Sequence, residues 1–320
     1  MAKVIIGIHG LGNKPSKEIL KAWWRSAMME GLEKLGKTID LPTFELVYWA
    51  DILYDQPLDE TIVDQEDPYF LAEKYLPSIQ KFTPEDNSNR QNVLDFLEDQ
   101  LDKLFLNEDL SINYTGIVDT IIHRYFRDLE LYYAVECFDE NDIKCKARKL
   151  IRERLVGILK KYEGDEILLV GHSMGSIISY DVLTFLLPEM NIHTFMTIGS
   201  PLGFPVIQGK IAAEWNSKRL VPPKMKTPPG VVHHWYNFAD LKDKVALIYQ
   251  LNKNFRANWR GVKPKDFVVN NDYQTEVEPN HHKSFGYLRA TAFSELLYNF
   301  SKGESVYDIL KERFLNLFHR

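Results

Sequence analysis

Residues 167–176 read ILLVGHSMGS, and Ser173 at their centre is the side chain whose chemistry would ask most of its neighbours. A serine hydroxyl becomes a nucleophile at neutral pH only when a base takes its proton and a carboxylate orients that base. It also needs N–H groups aimed at the oxyanion its attack creates. Four apolar residues run into Gly171-His172-Ser173-Met174-Gly175, and a helical pattern follows at once. A chain that leaves a buried strand and starts a helix without a loop must turn sharply. Such a turn strains the central residue and lifts its side chain clear of the sheet. Gly171 and Gly175 carry no side chain where backbone must pass close by. The Met174 N–H then points to the same spot as Ser173 Oγ, beside the positive end of the new helix.

A second stretch fits the same chemistry. IIGIHGLGN (5–13) ends in His9-Gly10-Leu11-Gly12, a glycine-rich turn in which backbone can approach a reacting atom. Leu11 N–H is the candidate for the second oxyanion donor. The spacing is not that of a dinucleotide loop, and there is no phosphate-binding lysine of the P-loop kind. His172 is assigned to bracing the turn. His233 and His234 are neighbours in a strand and face opposite sides. His123, His193 and His319 have no partner pattern, and no zinc, EF-hand or haem spacing is present, so neither metal nor cofactor is expected.

These residues need elements to hold them. Apolar runs at 3–8, 44–50, 166–170, 192–198, 231–238 and 266–270 read as six strands. Helical patterns lie at 16–36, 141–162, 174–187, 206–220, 244–251, 284–300 and 304–318. Ser16 can cap the first of these and Gly36 can end it; Pro188 stops the pattern at 174–187. Strands alternating with helices imply a parallel sheet covered on both faces, in one α/β domain over 1–320. Residues 51–140 interrupt this rhythm with patterns such as 90–106 and read as a folded helical, cap-like insertion.

The elbow and the His9–Gly12 loop resemble those of the α/β-hydrolases, the lipase- and esterase-like branch in particular. That resemblance covers roughly 3–50 and 150–300. It implies the α/β-hydrolase fold and a chain order of nucleophile, acid, base. Two acids follow the fifth strand, Asp240 and Asp243. Asp243-Lys-Val is similar to the family's Asp-x-Val and is favoured; Asp240 remains the alternative. Two histidines precede the last helical pattern, His281 and His282. His282 with KSFGYL is similar to the family's His-x-x-x-Gly-Tyr and leads; His281 is the alternative. TIGSPLG (197–203) is similar to the loop that lines the family's acyl pocket, with Leu202 where a histidine is common. The implied activity is cleavage of a small-molecule carboxylic ester through an acyl-enzyme. Thioester or amide cleavage, acyl transfer, and a non-catalytic partner-binding scaffold are the alternatives.

Composition bounds the rest. The 320 residues carry 39 Lys and Arg against 45 Asp and Glu, a net charge of −6, which argues against general nucleic-acid binding. Residues 51–110 hold 16 acidic and 4 basic side chains, and 205–265 hold 12 basic and 3 acidic. Two solvated faces that attract each other explain this; a basic rim for an anionic or lipid-like substrate is the sharper reading. Two cysteines, Cys137 and Cys145, make no disulfide framework. With no signal-like N-terminus and no apolar run of membrane-spanning length, a cytoplasmic protein is expected.

Overall fold

Six short apolar segments pair in parallel to form one sheet. The computed structural model describes residues 1–78, 105–106, 112–113, 132, 143–217, 225–275 and 278–303. Its strands are β1 (Lys3–Ile8), β2 (Thr43–Val47), β3 (Glu166–His172), β4 (Ile192–Ile198), β5 (Val231–Ala239) and β6 (Pro264–Val268). They lie in the order β2-β1-β3-β4-β5-β6. The register runs through Val4↔Ile167 and Val170↔Met196, so the strand ends align.

Alternation along each strand feeds two apolar layers. Ile6 and Ile8 of β1 and Ile167 and Leu169 of β3 face one layer; Ile5, Leu168 and Val170 face the other. Both layers exclude water, which is why these strands read as unbroken apolar runs. Truncating one such side chain, Leu169 for example, to alanine costs about 2–5 kcal/mol. The first layer is closed by α2 (Ile143–Lys161), α3 (Met174–Asp181) and α4 (Pro205–Ser217) through Leu155, Ile178 and Ile207. The second is closed by α1 (Lys17–Lys34) and α7 (Thr291–Lys302) through Trp24 and Leu297. Ser16 Oγ accepts the Ile19 N–H at 3.4 Å and starts α1; Gly36, at φ 64°, stands just past its end.

Several elements differ from their sequence patterns. The second strand stops at Val47, because Trp49 donates its N–H to a histidine ring rather than to a neighbouring strand. The pattern at 174–187 is α-helical only to Asp181 and then widens into a π turn over Val182–Leu186. The pattern at 244–251 is mostly turns, with only α5 (Leu251–Asn254) helical. Ahead of it the Asp240 and Asp243 carboxylates accept the N–H groups of Lys242 and Val245, each two residues on, as Asx turns do. The last pattern breaks into α6 (Ser284–Leu288) and α7, where Arg289 turns inward to Asp272, Glu30 and Leu76 O. The sixth strand begins two residues early, at Pro264, a first-strand position that tolerates a missing N–H.

Within 51–140, residues 53–78 contain no helix and run as a strap of turns beside the β1 loop. Leu58 N–H donates to Lys14 O at 2.8 Å, and Asp59 N–H to Tyr69 O at 2.9 Å. Phe105–Leu106 of the expected 90–106 helix are instead extended, antiparallel to Ile112–Asn113. The remainder of that helix and the pattern at 304–318 lie outside the described residues.

Candidate active site

Every loop that bears a candidate residue follows the carboxyl end of a strand: β1, β3, β4, β5 and β6. In a parallel sheet those ends share one edge, so the topology collects them.

Ser173 sits at φ 52°, ψ −125°, the one described non-glycine residue with positive φ. Holding a serine there costs about 1–3 kcal/mol, which the surrounding turn must supply. The glycines explain how it fits. A Cβ on Gly171 would lie 2.8 Å from Ser176 Cα, and one on Gly175 would strike Ile8 O. Ser173 Oγ is 2.9 Å from His282 Nε2. His282 Nδ1 lies 3.0 and 2.9 Å from the two oxygens of Asp243. An ionised carboxylate only accepts, so Nδ1 carries the proton and the bare Nε2 faces the serine hydroxyl.

Asp243 is buried and receives two further donors. Val245 N–H donates to Oδ1 at 2.9 Å and the Tyr287 hydroxyl to Oδ2 at 2.6 Å. Tyr287 in turn accepts the Asp240 N–H at 2.9 Å. Burial, and then the Asp243 charge, push the Tyr287 phenol well above its ordinary range, so it stays a donor. Gly199, at φ 55°, leaves the room: a Cβ there would lie 3.0 Å from Asp243 Oδ2 and 3.2 Å from His282 Nδ1.

The alternatives pair with each other. His281 Nδ1 is 3.4 Å from Asp240 Oδ2 and 3.2 Å from Asn271 O. The hydrogen bond to Asp240 raises His281 above its usual pKa against the opposing effect of burial. Asp240 also accepts the N–H groups of Asn271 at 2.6 Å and Lys242 at 2.8 Å. Neither Asp240 nor His281 hydrogen-bonds Ser173 or His282 through its side chain.

His9 holds the first loop. It is buried and stacks on Trp49 at 4.7 Å. Its Nε2 accepts the Trp49 N–H at 3.0 Å, so Nδ1 is the protonated nitrogen and donates to Gly10 O at 2.8 Å. Burial keeps this ring neutral, well below the ordinary histidine pKa. In a trans peptide the Gly10 carbonyl and the Leu11 N–H point opposite ways. Fixing the carbonyl on His9 therefore fixes the Leu11 N–H pointing away from it. That N–H has no acceptor among the described residues. Gly10 backs directly on Ser173, for a Cβ there would sit 2.7 Å from Ser173 Cβ. Gly12, at φ 80°, continues the turn, and Lys14 gathers the Leu11 and Gly12 carbonyls. Met174 is the first residue of α3, where an N–H has no intrahelical acceptor.

His172 does more than brace its own turn. Its Nε2–H donates to the His282 carbonyl at 2.7 Å, tying the elbow to the loop of the other histidine. Burial, and next the nearby His282, hold it neutral.

The chain matches no family model and no curated protein. The site therefore rests on its own geometry.

Sequence patterns did not single out several supports of this loop. Asn271 donates to the carbonyls of His281 and Lys283, both at 2.8 Å. Asn280 Oδ1 accepts the His282 N–H at 3.0 Å, and the Asn280 amide donates to Glu73 at 2.5 Å. Lys283 pairs with Glu73 at 2.6 Å. Burial alone would raise the Glu73 carboxyl, but Lys283 and Asn280 outweigh it and hold the group at about 2. The strap thus clasps the loop that carries His282. Only the tyrosine of HKSFGY had a visible signal, its place five residues after His282. Among the described residues no three His, Cys, Asp or Glu side chains are arranged to hold a metal ion. No described helix is long and apolar enough to cross a membrane.

Proposed function

We propose that this chain is a serine hydrolase of the α/β-hydrolase kind that cleaves carboxylic esters. The strained Ser173 hydroxyl 2.9 Å from His282 Nε2 is the observation that carries the reading. The parallel strand order is compatible with that fold.

His282 Nε2 takes the Ser173 proton as Oγ attacks the ester carbonyl. Leu11 and Met174 N–H groups stabilise the oxyanion, each donor contributing about 3–4 kcal/mol to the rate by the usual measure. His282 then gives the proton to the leaving alcohol. Water, activated by the same imidazole, attacks the acyl-enzyme and frees Ser173. Asp243 holds the imidazole in the productive tautomer and stabilises the imidazolium. Met174, Leu202 and Val245 belong to one apolar layer, with Leu11, Ile52 and Ile248 at its margin. The most basic stretch is divided between the two ends of the sheet: Lys242 and Lys244 are exposed on either side of Asp243. Lys226, Arg260 and Lys263 precede β5 and β6, at the far end of the strands from Ser173.

Incubation with a fluorophosphonate, read by intact mass, tests the proposal. One adduct on the wild type and none on Ser173→Ala is expected, followed by turnover of esters in a chain-length panel. Folded wild type that takes up no adduct and turns over no ester would refute it.

A further inference from the structure

The stretch 244–265 contains six Lys or Arg and no Asp or Glu. Its second half joins the 225–230 segment at the amino-terminal end of the sheet. Lys226 and Arg256 form a parallel bridge there, with the Arg256 N–H donating to Met225 O at 2.8 Å. Lys226, Arg256, Arg260, Lys263 and Lys265 are all exposed. None of them forms an ion pair among the described residues.

Trp259 stands among these cations and is 73% exposed, while the other five tryptophans are buried or partly buried. The turn that presents it is stiff. Asn258 is buried, and its amide donates to Pro228 O at 3.0 Å and Val231 O at 2.8 Å. Its Oδ1 accepts the N–H groups of Arg260 at 3.0 Å and Val262 at 3.1 Å. The Arg260 guanidinium lies over the indole, 4.1 Å from its centre. A large aromatic surface is therefore held out in water by a buried anchor beneath it. An amphipathic ring among unpaired cations matches the headgroup zone of an anionic bilayer, where indoles settle and cations meet lipid phosphates.

We propose that the Trp259 turn, with Lys226, Arg256, Arg260 and Lys263, docks this protein on an anionic phospholipid bilayer. The charge layout favours that partner. Asp55, Asp59, Glu60, Asp64 and Glu66 are exposed on the strap beyond the opposite end of the sheet. Lys242 and Lys244 at the Ser173 end, and Glu163 and Glu189 at the amino-terminal end, are exposed as well; the excess of acids on the strap and of cations around Trp259 still turns the Trp259 turn toward an anionic surface. Single-stranded nucleic acid would seek several stacking faces, and among the described residues of this turn Trp259 alone offers one. The inference does not depend on what Ser173 does.

The test uses the full chain with vesicles of phosphatidylcholine alone and of phosphatidylcholine mixed with phosphatidylserine. Cosedimentation with the mixed vesicles only, weakened by salt, is expected. Tryptophan emission should shift to the blue and be quenched by brominated lipid, and Trp259→Phe should abolish both signals. Arg260→Gln with Lys263→Gln should weaken binding roughly 30-fold. These side chains are exposed, so melting temperatures should hold and serve as the folding control. No cosedimentation at low salt would overturn the proposal. So would binding that leaves Trp259 unquenched, or tighter binding to single-stranded RNA than to the mixed vesicles.

Discussion

Replacing Tyr287 with phenylalanine removes one oxygen atom from a fully buried place and leaves the packing otherwise intact. That oxygen makes two contacts, a 2.6 Å hydrogen bond to Asp243 Oδ2 and a 2.9 Å acceptance of the Asp240 N–H. A hydrogen bond to a charged group contributes about 1.5–3 kcal/mol, and an orphaned buried N–H costs about 1–3 kcal/mol. The two losses share one atom and do not simply add, so a destabilisation of about 2–5 kcal/mol is expected. At roughly 2–4 °C per kcal/mol, the melting temperature should fall by on the order of 5–15 °C. The carboxylate keeps Val245 N–H and the imidazole but loses the contact that fixes its rotation. If the energy of that contact is expressed in the transition state, fluorophosphonate labelling of Ser173 should slow roughly 10–100-fold. The assay pairs a thermal melt with labelling kinetics at a temperature where the variant is folded. Unchanged melting to about a degree would mean the hydroxyl does not reach the carboxylate in solution. A lowered melting point with an unchanged labelling rate would refute the positioning role and leave a structural one.

Three further outcomes follow from the same geometry. Asp243→Asn should slow ester turnover by about 10⁴-fold, because the amide favours the wrong tautomer of His282; Asp240→Asn should cost far less turnover but lower the melting temperature, and the reverse ranking in a paired assay would reassign the acid. Gly10→Ala should leave far-UV circular dichroism unchanged yet block labelling of Ser173, since its Cβ would press on Ser173 Cβ at 2.7 Å; normal labelling of this variant would show that the loop can withdraw. His281 has a raised pKa in the fold, so its ion pair with Asp240 stabilises below the ordinary histidine pKa and is lost as pH rises through the raised one. Denaturant titrations of wild type and His281→Gln should therefore differ most in mild acid and converge in alkali, and a gap that widened with pH would contradict the pairing.

How much of this could be read from residues alone depends on what each pattern encodes. Strands buried on both faces leave an unbroken apolar run, so Ile192–Ile198 has the same bounds in sequence and structure. The sharp exit from β3 was legible for a similar reason, because two glycines around a serine have few uses between a strand and a helix. Helical periodicity misled where side chains capture the backbone. The apolar spacing at 244–251 suits a helix, but the chain there runs in turns, with Asp240 and Asp243 each accepting the N–H two residues on. The strap was illegible as well. Its hold on the site runs through Glu73, which meets Lys283 from 210 residues away, and no local pattern records such a distance.

The choice between the two acids and the two histidines shows where sequence reasoning ends and why. Asp240 and Asp243 lie three residues apart, and His281 and His282 are adjacent, so both sets satisfy the same order along the chain. What separates them is direction. Asp240 follows β5 immediately and spends its oxygens on the Asn271 and Lys242 N–H groups, tying the end of that strand to the loop after β6. It thereby fixes the backbone on which His281 and His282 stand, and His281 completes the tie. Asp243 lies one turn further on, where Tyr287 and Val245 leave one side of its carboxylate to the His282 ring. The two pairs are linked through Tyr287, which bonds the side chain of one acid and the backbone of the other. A loop that must present one imidazole to Ser173 at 2.9 Å thus gains its rigidity from the neighbouring imidazole. Losing His281 should therefore broaden the placement of His282 without removing it, a loss of rate that His282→Ala would far exceed.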